Sequence, residues 1–286
     1  MHFRSLLFVP GNKESMLRKA LTLRPDALVP DMEDSVPDAE KANARNTIAA
    51  LLPDLAATGI PVIPRVNALD TDLTAEDLAA VVGPHIHGIS VGKVHAPDDI
   101  VRLSASLDGL EAGSGLESGH VKLFPWLESA RAMVHCYRIC IASPRIAAVA
   151  FGAEDFTHDM GIERLEDESE VAFARQHLCI AARAAEIPAL DTPYFRFRDE
   201  AGLRANCAAA RQAGFKGKFA IHPAQIEAIN ETFFPSDREI EYARRVVAAF
   251  ERAERAGRGS TSLDGKVIDV PVMKRARALL ELAGNG

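Results

Sequence analysis

Eight short apolar runs punctuate the chain: SLLFVP (5–10), ALVPDM (27–32), PVIPRV (61–66), GISVGKV (88–94), VKLFPWL (121–127), IAAVAFG (146–152), IPALDTP (187–193) and KFAIHP (218–223). Continuous apolar runs of this length, as opposed to strict alternation, read as parallel strands buried on both faces. The segments between them, including 38–52, 73–82, 97–107, 129–142, 168–186 and 199–213, read as helices. Segment 168–186 is Ala-rich and contains neither Gly nor Pro, which favours helix. Eight β–α repeats predict an α/β fold of the TIM (β/α)8 barrel type, with a doubly wound open sheet as the alternative.

Beyond the eighth unit the pattern changes. Residues 236–256 form a charged amphipathic helix, GRGSTSLDG (257–265) reads as a mobile linker or lid, and VIDVP (267–271) precedes a last helix over 272–283. Pro271 suits that helix's first turn. The expected organisation is a barrel domain over 1–234 and a C-terminal helix, linker and lid segment over 235–286. The tail is too small to fold alone and is expected to dock on the barrel or on a neighbouring subunit.

Composition narrows the function. A formal charge of −7 argues against a general nucleic-acid or anionic-membrane binder, although a local basic pocket remains compatible with it. The four cysteines, Cys136, Cys140, Cys179 and Cys207, make no CxxC pair. They read as small buried apolar residues and suit a reducing cytoplasm. The apolar run at the N-terminus is too short for a signal peptide, and no transmembrane stretch occurs. VPGNKES (9–15) has a single Gly and is not a phosphate loop on its own.

In a barrel all strand C-termini open on one mouth. The polar residues expected there are Gly11 and Asn12, Asp31 with Glu33 and Asp34, Arg65 with Asn67, Lys93, Glu128, Glu154 with Asp155, Asp191, and His222. Glu128 and Asp155 are the best pair for Mg2+, which takes one or two carboxylates plus waters and substrate oxygens. The alternative is that both are helix N-terminal acids stabilised by the macrodipole. Glu154 is expected to support Asp155. Arg65 suits a substrate carboxylate or a salt bridge to Glu33 or Asp34. Lys93, among acids, suits an ion pair better than a Schiff base. His222 is either a core histidine or a ligand contact.

The stretches RSLLFVPGNKESMLRKA (4–20), PDMEDSVPDAEKANAR (30–45), PRVN (64–67), KLFPWLESA (122–130), FGAEDF (151–156) and GFKGKFAIHPAQI (214–226) resemble the citrate lyase beta-subunit-like family of the HpcH/HpaI aldolase superfamily. The tail DGKVIDVPVMKRA (264–276) resembles that of its citramalyl-CoA and malyl-CoA lyase branch. The resemblance implies a TIM barrel in homotrimers whose C-terminal lid reaches a neighbouring subunit.

It also implies Mg2+, with Mn2+ as an alternative, on Glu128 and Asp155. Arg65 would bind the oxo-acid carboxylate, and Asp269 would be the catalytic acid/base. Ile221 and His222 would contact substrate or CoA, and Phe8 and Lys19 would contact CoA. Lys41 and Arg45 match a recurrent basic motif or form a structural pair. Ser15 stands where some relatives have Lys, Gly92 precedes Lys93 where Pro is usual, Pro30 precedes Asp31 where an apolar residue is common, and Ser129 replaces Thr.

The implied activity is reversible cleavage of a 3-hydroxyacyl-CoA to acetyl- or propionyl-CoA plus pyruvate or glyoxylate. The alternatives are a citrate lyase beta subunit acting on a thioester of an acyl carrier protein, an aldolase working without CoA, and a non-catalytic barrel.

Overall fold

In the computed structural model, which describes residues 2–284, the eight apolar runs become eight strands. They are β1 (Ser5–Pro10), β2 (Ala27–Asp31), β3 (Arg65–Val66), β4 (Gly88–Val91), β5 (Lys122–Leu127), β6 (Val149–Phe151), β7 (Ala189–Asp191) and β8 (Gly217–Ala220). Neighbours in sequence pair in parallel, and β8 pairs back to β1, closing the barrel. Between and after them lie α1 (Glu14–Ala20), α2 (Lys41–Ala56), α3 (Thr74–Val81), α4 (Pro97–Gly113), α5 (Ala130–Cys140), α6 (Ala153–Met160), α7 (Ala172–Ala184), α8 (Glu200–Ala213) and α9 (Gln225–Phe233). Strand β3 is shorter than its apolar run because Pro61 and Pro64 lack the N–H a ladder needs. Val62 keeps a single bridge to Leu28.

Strand side chains alternate between the barrel interior and the surrounding helices. Leu6, Val29, Ile63, Phe124, Trp126, Ala148, Ala150, Leu190 and Phe219 share one core, with Phe8 packed against it. The Trp126 and Phe219 rings lie 4.3 Å apart and those of Phe8 and Phe219 5.1 Å apart. Two residues beyond the last core position, four of the strands carry a polar side chain. Val29 is followed by Asp31, Ile63 by Arg65, Trp126 by Glu128 and Leu190 by Thr192.

Asp191 has the opposite parity, which corrects its expected place at the mouth. It is fully buried in the helix layer, accepting from Arg175 of α7 at 3.0 and 2.8 Å and from Lys218 at 2.5 Å. Asn67 is likewise turned away, its backbone and side-chain nitrogens bonded to Asp77 of α3 at 2.9 and 2.6 Å.

A second buried charge sits where α4 meets β5. Glu111, fully buried, accepts from Arg145 at 2.8 and 2.6 Å and from the backbone N–H groups of Gly119 and Val121. Burial alone would raise its carboxyl; the Arg145 guanidinium and the two N–H groups hold it below the ordinary value. A depressed folded pKa contributes stability that is present above the unfolded value and lost as pH falls through the folded one. Glu111→Gln is therefore expected to cost about 3 kcal/mol near neutral pH, with the gap to wild type closing below roughly pH 4.5. Denaturant melts across that range measure it, and a pH-independent gap contradicts the assignment.

The chain divides into two compact units, Met1–Asn230 and Glu231–Gly286. Met1, Asn285 and Gly286, the outer ends of the two expected domains, lie outside the described residues. The second unit holds α10 (Asp237–Arg255), β9 (Thr261–Leu263), β10 (Lys266–Ile268) and α11 (Val270–Gly284). Ser236 and Glu239 cap α10 reciprocally, a capping box. Val246, Phe250, Ile268 and Met273 form this unit's own core.

The stretch 257–265, expected as a mobile linker or lid, contains β9, the first strand of an antiparallel hairpin with β10. Asp264 and Gly265 both take positive φ, 51° and 74°, the conformation of a two-residue Asp-Gly turn. Arg245 holds Asp264 at 2.7 and 2.9 Å. All four cysteines are free and buried, and among the described residues no helix is long and apolar enough to cross a membrane.

Candidate active site

The register that pairs Asp31 with Arg65 across β2 and β3 puts the two side chains together at the mouth. Asp31 is fully buried and grips Arg65 Nε and Nη2 through both oxygens at 2.7 Å each. It also accepts from the N–H groups of Glu33 and Ser35. Burial would raise the Asp31 carboxyl, but Arg65 overrides it and holds it low. Arg65 Nη1 reaches Asp34 at 2.9 Å and Glu33 at 3.1 Å, and the guanidinium lies 4.5 Å from the centre of the Phe8 ring. Both expected salt bridges of Arg65 are present, together with the bidentate Asp31 contact that the sequence reading left unpaired.

Glu128 directly follows β5 and is buried. Its Oε1 accepts from the Lys93 N–H at 2.6 Å, a donor aimed by the left-handed backbone of Lys93, φ 54°. Two glycines make room for the carboxylate. A Cβ at Gly92 would stand 2.8 Å from Glu33 Oε1 and 3.1 Å from Glu128 Oε1, and one at Gly152 would overlap Glu128 Oε2. Asp155 follows Gly152 in the first turn of α6 and is half-buried. Burial, then Asp155 and Glu33, push the Glu128 carboxyl up to about 8. Burial raises Asp155 as well. Lys93 Nζ lies 3.0 Å from Glu33 and 3.4 Å from Asp34. Burial would lower this ammonium, but Glu33 and Asp34 keep it raised and protonated, which disfavours Schiff-base chemistry.

Five carboxylates (Asp31, Glu33, Asp34, Glu128, Asp155) thus share the mouth with two cations, Arg65 and Lys93. The surplus negative charge and the glycine-lined space fit a hard divalent cation on Glu128 and Asp155, with water or substrate oxygens completing its shell. Among the described residues no three His, Cys, Asp or Glu side chains are placed to hold a metal unaided. Asn12, after β1, leaves a buried Oδ1 without a protein partner.

Gly152→Ala would set a Cβ into the Glu128 carboxylate and 2.8 Å from the Glu128 Cβ, so the whole Glu128 side chain must shift. The expected result is a folded barrel whose Mg2+ affinity is down about tenfold or more, read by titration calorimetry beside a thermal melt. Undiminished affinity would show that Glu128 is not a ligand.

The remaining expected residues divide. Phe8 lies at the barrel core beneath Arg65, while Lys19 is exposed on α1. The N–H groups of Ile221 and His222 both donate to Gln225 Oε1, at 2.9 and 3.2 Å. Gln225, buried, donates in turn to the Tyr194 carbonyl at 2.7 Å. His222 is exposed and stacked on Phe197, with ring centres 4.9 Å apart, so it is not a core histidine.

Glu154, expected to support Asp155, is half-exposed and paired with Arg164 at 3.0 Å. Lys41 donates to the Met32 and Glu33 carbonyls, and Arg45 pairs with Glu76 and Asp77; both are structural. Asp269 belongs to the C-terminal unit, where its Oδ1 accepts from the Val272 N–H at 3.1 Å at the start of α11. Asp31 was the role missed, and strand parity from Val29 was the signal for it. Gln225 carried no signal beyond its place in the AIHPAQ turn.

The sequence profile of the family described as HpcH/HpaI aldolase/citrate lyase matches residues 4–223. The chain is 36% identical over 283 residues to a citrate lyase subunit beta of Haemophilus influenzae, covering 99% of this chain and 97% of that one. It is 36% identical to a (3S)-malyl-CoA thioesterase of Cereibacter sphaeroides (98% and 94% covered). It is 32% identical to the mitochondrial citramalyl-CoA lyase of Rattus norvegicus (98% and 86% covered). Among solved structures, CitE from Mycobacterium tuberculosis in complex with magnesium, acetoacetate and coenzyme A superposes with a TM-score of 0.81 at 26% identity, covering 99% of this chain and 98% of that one.

Proposed function

Since the chain belongs to the HpcH/HpaI aldolase/citrate lyase family, we propose that it is a Mg2+-dependent carbon–carbon lyase. It would cleave or form a 3-hydroxyacyl-CoA such as citramalyl-CoA, malyl-CoA or β-methylmalyl-CoA. The observation that carries this reading is the pair Glu128 and Asp155 set beside a clamped Arg65 at the mouth. A magnesium- and CoA-bound relative of the same fold supports it.

Cleavage breaks the bond between the thioester α-carbon and the carbinol carbon. The electron pair of that bond passes to the thioester as its enolate, the hydroxyl gives up its proton to a base as it becomes the 2-oxo acid's carbonyl, and the enolate must then take up a proton at the α-carbon. Glu128 and Asp155 would hold the cation, Mg2+ or Mn2+, which when bound supplies Lewis acidity toward the carboxylate and hydroxyl oxygens. Arg65, kept charged and immobile by Asp31, offers a fixed donor to developing oxyanion charge. Phe8 and Lys19 would contact CoA, and Ile221 and His222 substrate or CoA. Asp269 is assigned the proton exchange at the α-carbon, supplied within a homotrimer by its own or a neighbouring subunit. Asp269→Asn is then expected to keep Mg2+ affinity and lower kcat about 10²-fold or more; an unchanged kcat refutes the role.

A second reading, a citrate lyase beta subunit working on a thioester of an acyl carrier protein, is favoured by the 36% identity to such a subunit. The thioesterase relative adds hydrolysis as a further outcome. Three incubations of the full chain with Mg2+ separate them: acetyl- or propionyl-CoA with glyoxylate, pyruvate or oxaloacetate; the corresponding carrier-protein thioesters; and malyl-CoA alone. Condensation supports the lyase. Activity confined to carrier-protein thioesters supports the subunit. Release of free CoA from malyl-CoA without acetyl-CoA supports a hydrolase.

A further inference from the structure

Three carboxylates hold Arg65, and they are not equivalent. The Asp31 and Glu33 side chains are 0% and 6% exposed, whereas that of Asp34 is 51% exposed. Asp31 closes the Nε edge of the guanidinium with both of its oxygens. Glu33 and Asp34 each lend one oxygen to each cation of the mouth, Glu33 to Arg65 at 3.1 Å and Lys93 at 3.0 Å, Asp34 to Arg65 at 2.9 Å and Lys93 at 3.4 Å, and of the two only Asp34 does so from an exposed position. A small carboxylate spanning two cations would make the same contacts.

We propose that Asp34 is a placeholder for the substrate's carboxylate. Beside the buried Asp31 and Glu33 it supplies the exposed contact to Arg65 and Lys93 in the free protein, and a 2-oxo acid displaces it to take that contact on both cations. This rests on the reading that the mouth binds a 2-oxo acid. An anion arriving from solvent finds Arg65 closed by buried Asp31 on one edge, so the exchangeable contact is that of exposed Asp34. One carboxylate returns to water as the other arrives, so the cations are never stranded. A neutral ligand cannot make this exchange, because it would leave Arg65 and Lys93 less well paired. Asp34 therefore tunes affinity for carboxylate ligands against neutral ones.

The test is titration calorimetry of the full chain at saturating Mg2+, with pyruvate as the probe. Asp34→Asn is expected to bind pyruvate about fivefold tighter than wild type, and Lys93→Met about tenfold weaker, in both the wild-type and the Asp34→Asn background. Glu154→Gln removes the same charge from an exposed acid paired elsewhere and should leave affinity within about twofold. The placeholder is overturned if Asp34→Asn binds pyruvate no tighter, or if Glu154→Gln tightens binding equally. If neither wild type nor Asp34→Asn takes up pyruvate, the oxo-acid reading itself fails and the placeholder falls with it. Pyruvate binding to wild type with an unmoved Asp34→Asn removes the placeholder alone.

Discussion

Asp155→Asn is expected to abolish measurable Mg2+ binding and to lower turnover on the order of 10³-fold, while leaving the barrel at least as stable as wild type. The two halves of this result have one cause. Burial raises the Asp155 carboxyl, and Asp155 in turn raises buried Glu128. A group whose folded pKa is raised opposes folding in its charged form, so replacing it with a neutral isostere relieves repulsion. Groups kept together at a stability cost mark a site built for a cation. Calorimetric Mg2+ titration, turnover and melting temperature read the three quantities separately. Full turnover in the variant, or in wild type under excess chelator, would end the metal assignment. A large loss of stability with intact Mg2+ affinity would make Asp155 a helix-terminal acid, the alternative that its sequence position allowed.

The largest stability effect is expected at Asp191. Its carboxylate is the counter-ion of Lys218, whose side chain is wholly buried, and it also pairs with Arg175. Arg175 keeps a second partner in Glu168 at 2.8 Å, so Asp191→Ala strands chiefly the lysine. An uncompensated buried charge costs about 3–5 kcal/mol. At this chain length that corresponds to roughly 10 °C in melting temperature. Adding Lys218→Met to Asp191→Ala should recover most of the loss, since the stranded charge and not the missing contact carries the penalty. A double variant no more stable than Asp191→Ala would contradict this.

Much of this architecture could be read from residue order. All eight apolar runs became barrel strands, and the polar residue after each core position located Asp31, Arg65 and Glu128. What stayed hidden was pairing, since a run of buried residues does not declare which face each one takes. Asp191 was placed at the mouth because it ends a run, but counting by twos from Leu190 sends it into the helix layer. Arg65 was weighed against Glu33 and Asp34, whereas the bidentate partner, Asp31, lies on a strand more than thirty residues earlier and is found only through register. Glu154 and Asp155 are adjacent in sequence yet part company on α6, one to Arg164 and one to the mouth. The Asp-Gly pair at 264–265 is a hairpin signal, but its place at the end of a Gly/Ser-rich stretch makes the whole segment read as linker or lid.

The seam between β1 and β8 has a consequence for how the chain is made. Residues 5 to 7 pair with residues 218 to 220, the Lys218 N–H donates to the Arg4 carbonyl at 2.7 Å, and a Cβ at Gly217 would overlap the Phe3 carbonyl. During synthesis the first strand emerges with one edge satisfied by β2 and the other without its partner. At about 5–20 residues per second, that edge waits on the order of 10–40 s for β8 to be translated. An unpaired apolar edge is a template for association with other chains, so the nascent first strand is the point where crowding on a polysome threatens yield. Closure waits for the far end of the barrel to be synthesised, and the first strand to be translated is among the last to be fully bonded.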